Sequence, residues 1–216
     1  MGEIIRREAA ALDILDDAQT ALTNAMERGG AWESDVEARL APLLVLALGV
    51  QTQREVARTG LLPALAALRV GTDASDRLIA RISDETWNLV GRPVHDEAFE
   101  LLFPGGISYY TEGDPSEQPD RMTLLAELLE SGIHPRLPTA RAHAFGAELR
   151  ASGALLRAKD DAARPFRTRV ALADKMECAI ARAAHAALVS LKRVWKTEGK
   201  TEAEVHEVIP DRPRSA

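Results

Sequence analysis

The strongest constraint on this chain is the alanine-rich heptad pattern near its C-terminal end. Between Phe166 and Glu198, small and aliphatic residues recur at two heptad positions: Ala173, Ile180, Ala187 and Val194 at one, and Met176, Ala184 and Leu191 at the other. Alanine has the highest helix propensity, and this spacing places an apolar stripe along one side of a helix. The sequence therefore predicts a long helix from about Phe166 to Glu198.

Helical periodicity also extends over most of the remaining chain, between glycines and prolines that typically end helices. We expect helices over roughly 2–28, 34–60, 61–70, 73–90, 96–103, 120–131 and 139–163, with Pro165 interrupting before the last one. Pro42 lies inside the second pattern, where it either starts a helix late or kinks a longer one. The predicted fold is therefore all-α, a bundle of long antiparallel helices with several short helices.

One irregular connector is expected between Pro104 and Pro119. It includes most of the stretch LLFPGGISYYTEGD, which holds both tyrosines of a chain that is only 4% aromatic. PGG and EGDP are turn signals, while ISYYT between them has strand-like residues. Two arrangements stay open: the segment pairs with itself in another subunit, or it lies extended over the helices with its rings buried against them. We take Phe103, Tyr109 and Tyr110 as candidate interaction residues.

Charge is unevenly distributed along the chain. The net charge of −6 combines −12 over residues 1–133, +8 over residues 134–196 and −2 over the remaining tail. Such a chain can neutralise itself internally, stack with copies of itself, or present its basic part to an anion. We expect four parts, with a single domain over 1–199 as the alternative: an acidic helical part over 1–103, the connector over 104–119, a largely basic helical part over 120–199, and a flexible or partner-docked tail over 200–216.

Hydropathy indicates a soluble protein without a membrane partner. The longest uncharged run, LAPLLVLALGVQTQ from Leu40, has an apolar part that stops at Val50. That part has about half of the ~20 residues that a membrane span needs, so we expect a buried central helix there. The N-terminus is charged from Glu3 and has no apolar signal region, and a single cysteine excludes an intrachain disulfide. These features predict a cytoplasmic protein.

No catalytic or cofactor-binding motif is present. The sequence contains no Walker motif, GxGxxG, HExxH or ExxH pair, so we assign no catalytic residue, cofactor or metal. Of the five histidines, only His143 and His185 fall in long helices, and we expect them to be surface or partly buried side chains without a ligand. His95 is expected to cap the helix that begins near Asp96, and Cys178 to be a buried, inert thiol.

A basic cluster surrounds Trp195 near the end of the last predicted helix. Lys192, Arg193 and Lys196 flank this tryptophan, and all four are candidate interaction residues. The helix dipole favours basic side chains at a helix C-terminus, while a phosphate backbone or an acidic partner would also suit them. The arginines of 134–196 do not follow one evident helix face, so the nucleic-acid interpretation is the weaker one.

These observations favour a non-enzymatic structural or interaction protein. Heptad-patterned helices and segregated charge indicate a chain that forms a homo-oligomer or docks on a protein partner, through helix faces and complementary acidic and basic surfaces. Two alternatives stay open. One is an enzyme or small-molecule binder with a pocket beside the connector, near His95, Tyr109 and Tyr110. The other is a nucleic-acid or anion-binding module that uses residues 134–196.

Overall fold

The computed structural model describes residues 4–211 and shows an all-α protein over that range. Its helices pack as a bundle with two long members and several short ones, which confirms the predicted fold class. In chain order the helices of this range are α1 (Ala11–Arg28), α2 (Ala31–Leu89), α3 (Glu97–Leu102), α4 (Ser108–Thr111), α5 (Gln118–Glu130), α6 (Thr139–Thr197) and α7 (Glu202–Val208).

Two of the helices are much longer than the sequence predicts. α2 continues through Gly60 and Gly71, and α6 continues through Pro165, so the helix ends expected at these three positions are wrong. Gly60 lies against the ring of Phe166, and an alanine there would meet that ring. Tertiary packing contributes more to helix stability than intrinsic propensity does, and it outweighs the ~1 kcal/mol that a glycine inside a helix costs.

The chain divides into two compact units, and both long helices contribute residues to each. Unit 1 contains the described residues up to Arg58 and from Thr168 onward, and unit 2 contains residues 59–167. The expected parts at 1–103 and 120–199 do not coincide with these units, because α2 and α6 each continue from one unit into the other.

Unit 1 is built from α1, α7 and the adjoining portions of α2 and α6. Arg39 donates a 2.7 Å hydrogen bond to Ser190, and Arg54 lies 2.6 Å from Glu177. Residues later in α2 therefore contact residues earlier in α6. The two portions therefore run antiparallel. The core of this unit is mainly aliphatic and includes Ile14, Leu15, Ala18, Val36, Leu40, Ile180, Ala184, Leu188, Leu191 and Trp195.

Up to Ile209 the expected tail forms part of this core instead of a flexible or partner-docked arm, and its residues 212–216 lie outside the described range. Thr201 and Glu204 form a capping box at the start of α7, which satisfies backbone donors at that helix end. Val205, Val208 and Ile209 are at most 1% exposed. Asn24 on α1 donates to the carbonyl of Val208, with 3.1 Å between the two atoms. Burial of these three side chains fixes the tail to the unit up to Ile209.

Unit 2 is built from α3, α4, α5 and the remaining portions of α2 and α6. The hydroxyl groups of Ser75 and Ser152 lie 3.0 Å apart, and Arg81 pairs with Glu148, so here too α2 and α6 run antiparallel. The core includes Ile79, Ile82, Leu102, Phe103, Tyr110, Met122, Leu125, Phe145 and Leu149. The extended conformation predicted for ISYYT is wrong, since residues 108–111 form α4. A helical turn bonds its own backbone, for example through Glu112 N–H to Ser108 O at 2.9 Å, whereas a lone strand would lack a partner.

Candidate interaction site

The candidate residues of the connector contribute mainly to the core of unit 2. Phe103 and Tyr110 are buried, whereas Tyr109 is 48% exposed and packs edge-on against Tyr110 with ring centroids 5.0 Å apart. The Tyr110 hydroxyl donates a 2.7 Å hydrogen bond to the carbonyl of Leu102. Burial, with a smaller contribution from Tyr109, raises the pKa of Tyr110 to about 12. Tyr110 is therefore an anchor, and only Tyr109 offers the connector a surface ring.

Asp96, rather than His95, caps the helix that precedes the connector. Its carboxylate accepts from the N–H groups of Ala98 and Phe99 at 3.0 and 3.1 Å, whereas His95 pairs with Glu100. His134 is buried, and its Nδ1 accepts from the Arg136 N–H, so the Nε2 proton points to Asp96 at 3.2 Å. Partial burial acts to raise the pKa of Asp96, but hydrogen bonds from the Phe99 N–H, the Arg136 guanidinium and His134 together hold it below its usual value.

Three of the four candidate residues at the end of α6 are engaged within unit 1. Trp195 is 1% exposed, donates from Nε1 to Asp35 at 3.0 Å, and packs on Trp32. Lys192 and Lys196 both contact Glu202 at the start of α7. Hydrogen bonds from these two lysines, the one from Lys192 contributing most, lower the pKa of Glu202 to about 2. The basic cluster thus holds α7 in place, and Arg193 alone of the four is exposed without an internal ion pair among residues 4–211.

Residues of the acidic and basic parts of the sequence form ion pairs inside unit 2. Arginines of the basic stretch pair with acidic residues that precede it in the chain: Arg136 with Asp96, Arg141 with Glu85, Arg150 with Glu130 and Arg157 with Asp120. The Arg150 pair is bidentate, with both nitrogen–oxygen distances at 2.7 Å. The segregation of charge along the sequence is therefore largely cancelled in this unit.

The uncharged run from Leu40 contains a surface that the sequence did not reveal. We expected a buried helix there, and Leu40, Ala47 and Val50 are indeed buried. On the opposite side, however, Val45 is 72% exposed and Leu48 is 65% exposed. The run therefore has apolar residues all around the helix while the protein covers only one side of it. A helix that is apolar on all sides is normally buried on all sides, so a further protein surface is expected to cover the exposed one.

The exposed side continues as a stripe along α2, consisting of Val45, Leu48, Thr52 and Val56, which we call the α2 face. These positions follow a three–four–four spacing and lie on one side of the helix. The Thr52 hydroxyl donates to Leu48 O at 2.9 Å, so its methyl group is left for outward contacts. The α2 face borders two grooves of about 330 and 380 Å³, the first shared with α1 and the second with α6.

Apolar side chains widen the α2 face at one end, and unpaired charges flank it at both ends. Leu172 on α6 is 56% exposed and lines the 380 Å³ groove together with Val56. Asp16 borders the groove beside Val45, and Arg169 borders the groove beside Val56. Both charged side chains are exposed, and neither has an ion-pair partner within residues 4–211. The face thus carries a negative charge at one end and a positive charge at the other.

The remaining candidate residues do not form a chemical site. Cys178 is exposed, so the expected burial of its thiol is wrong. His143 and His185 lie on the same helix, 42 positions apart in sequence, so they do not face each other. Within residues 4–211, no three His, Cys, Asp or Glu side chains are grouped as metal ligands would be. No helix in the described part of the chain is long and apolar enough to cross a bilayer.

Comparisons with protein-family models, curated proteins and solved structures find no match to this chain.

Proposed function

We propose that this protein is a non-enzymatic assembly protein that self-associates through the α2 face, with a second copy of the chain as the occupant. The observation that carries the proposal is the exposure of Val45, Leu48 and Val56 on one side of an uncharged helical run. Contiguous apolar surface on a folded protein typically marks an interaction site. An enzymatic role has no comparable support from the arrangement of the described side chains.

The arrangement of charge favours a second copy over an unrelated partner. A two-fold axis through the α2 face, between Leu48 and Thr52, would place two α2 helices antiparallel. Val45 of one copy would then pack on Val56 of the other. The same axis brings Asp16 of each copy toward Arg169 of the other, because these residues border opposite ends of the face. A two-fold interface must be self-complementary, and this surface meets that condition.

The area involved predicts a dimer of moderate affinity. Full burial of a Val or Leu side chain contributes about 1.5–3 kcal/mol. Val45, Leu48, Val56 and the adjacent Leu172 are on average about two-thirds exposed, so their burial would contribute about 4–8 kcal/mol per copy. A symmetric dimer doubles this gross value. Association costs on the order of 4–15 kcal/mol, and at the lower end of that range a gross value of about 12 kcal/mol leaves about 8 kcal/mol, which corresponds to a dissociation constant around the micromolar range.

Sedimentation velocity from about 1 to 100 µM tests the proposal directly. We expect the native mass to rise from the 23.4 kDa monomer toward twice that value, and the association to persist at high salt because burial of apolar surface is not screened. Leu48→Glu should weaken it by ~100-fold or more, since two side chains lose about 1–2 kcal/mol each and two carboxylates are desolvated. Val70→Glu is the matched control, because Val70 has the same 65% exposure on the same helix but lies outside the α2 face.

Charge exchange tests the two-fold geometry separately. Asp16→Lys and Arg169→Asp should each weaken association up to about thirtyfold, since an exposed ion pair contributes ~0.2–1 kcal/mol and occurs twice in the dimer. The double variant should recover most of the loss. A wild-type protein that stays monomeric at 100 µM, or a Leu48→Glu protein that associates as well as Val70→Glu, would rule out the α2 face as the self-association surface.

A further inference from the structure

A second surface of unit 1 concentrates positive charge in a groove. The groove, about 460 Å³ in volume, is lined by Arg182, His185, Ala186, Val189, Ser190 and Arg193 of α6, and by Arg7 from the segment before α1. Positions 182, 186, 189 and 193 follow a four–three–four spacing and share one side of the helix. We call this site the basic groove. It lies outside the α2 face, and no residue lines both.

The arginines of the basic groove have no internal counterions. Among residues 4–211, Arg7, Arg182 and Arg193 take part in no ion pair, in contrast to Arg136, Arg150 and Arg157 of unit 2, which pair with carboxylates. Arg39 approaches from α2 and donates to the Ser190 hydroxyl at 2.7 Å, which adds a fourth guanidinium beside the groove. One acidic side chain, Glu8, lines an adjoining hollow with Arg7 and Arg182 and offsets part of this charge.

The chemistry of the lining matches a phosphorylated ligand. A guanidinium presents a rigid fork of N–H donors that fits phosphate oxygens in a bidentate manner. Because Ser190 Oγ accepts from Arg39, its own proton is available to a ligand oxygen. Ala186 and Val189 add an apolar floor between the polar groups. The volume lies within the range of small-molecule sites and exceeds what a single phosphate would fill.

We infer that the basic groove binds a small organic phosphate that carries more than one phosphate group. Arg182 and Arg193, one at each end of the stripe on α6, hold the phosphate groups, and Arg7 closes on them from the N-terminal segment. The remainder of the ligand lies on Ala186 and Val189. This site is separate from self-association through the α2 face and does not depend on it.

Titration calorimetry on the full chain at about 150 mM salt tests the inference, with ATP in the presence of EDTA and inorganic tripolyphosphate as the two probes. We expect saturable binding of both, with ATP the tighter because it can use the apolar floor. Arg182→Gln and Arg193→Gln should each weaken binding by about tenfold or more. Arg77→Gln is the matched control, because Arg77 is exposed, lies in unit 2 and does not line the groove.

A 20-nucleotide single strand of DNA, titrated in parallel, separates a small-molecule site from a nucleic-acid surface. Binding of the oligonucleotide without binding of either small probe would overturn the inference in favour of nucleic acid. Absence of binding by all three probes would also overturn it. So would binding that the Arg182 and Arg193 variants leave unchanged, with circular dichroism confirming that the variants are folded.

Discussion

Gly60 lies where the backbone of α2 packs closely against the aromatic ring of Phe166 in unit 2. A Cβ atom at this position would meet three carbons of the Phe166 ring closer than 3.0 Å, two of them at 2.7 and 2.9 Å. Gly49, on the same helix, would place a Cβ atom with no neighbour within 4 Å. The same chemical change, glycine to alanine, therefore meets opposite surroundings at two positions of one helix.

The two substitutions should change the free energy of unfolding in opposite directions. Alanine stabilises a helix interior by ~1 kcal/mol relative to glycine, and Gly49→Ala should gain about that amount. Gly60→Ala has the same gain but must displace the Phe166 ring, and overpacking of this kind costs about 1–3 kcal/mol. Phe166 is only partly buried, so the ring can move outward at the expense of its packing. We expect a net loss of about 1 kcal/mol for Gly60→Ala.

Guanidinium unfolding, followed by far-ultraviolet circular dichroism in dilute solution, measures both effects. The variants should differ from each other by about 2 kcal/mol. Phe166→Leu, alone and combined with Gly60→Ala, completes a double-mutant cycle in which the alanine should cost less once the ring is absent. If Gly60→Ala proved as stabilising as Gly49→Ala, the conclusion that packing against the Phe166 ring stabilises α2 at Gly60 would be refuted.

Two further predictions concern the anchors of each unit. Tyr110→Phe should lower the free energy of unfolding by about 1–3 kcal/mol in a urea titration, because the buried Leu102 carbonyl loses its donor. Tyr109→Phe, at a half-exposed ring, should change it by less than ~0.5 kcal/mol, and equal losses would exclude this hydrogen bond as the cause. For α7, the pKa of Glu202 is lowered, so its contribution is complete above its usual pKa of 4.5 and is lost as the pH falls toward about 2. Hydrogen exchange in α7 should therefore accelerate over that interval. Glu202→Gln should exchange faster already at pH 7 and lose the part of the pH dependence that Glu202 supplies, and identical profiles for variant and wild type would contradict this assignment.

The candidate site could be predicted only in part, because sequence patterns do not say which side of a helix is covered. The aromatic cluster of the connector is visible in the sequence, but the separation of a buried Tyr110 from an exposed Tyr109 depends on a single turn of α4. The basic residues around Trp195 are equally visible, yet two of them contact Glu202 from a tail that we expected to be flexible. The signal for that docking, a capping box followed by Val205 and Val208, was present in the sequence.

Alanine content and heptad spacing by themselves determined an all-α protein, because helix propensity and apolar periodicity are local properties of the chain. They also determined that a core of small aliphatic residues must form between helices. The tertiary structure alone decided that α2 and α6 each continue through predicted breaks, since the contacts around Gly60 come from residues about a hundred positions away. It also decided which apolar residues of an uncharged helix stay outside the core. Which apolar residues are covered depends on the helices that pack beside them, and in a single copy of the protein no helix within residues 4–211 covers the α2 face.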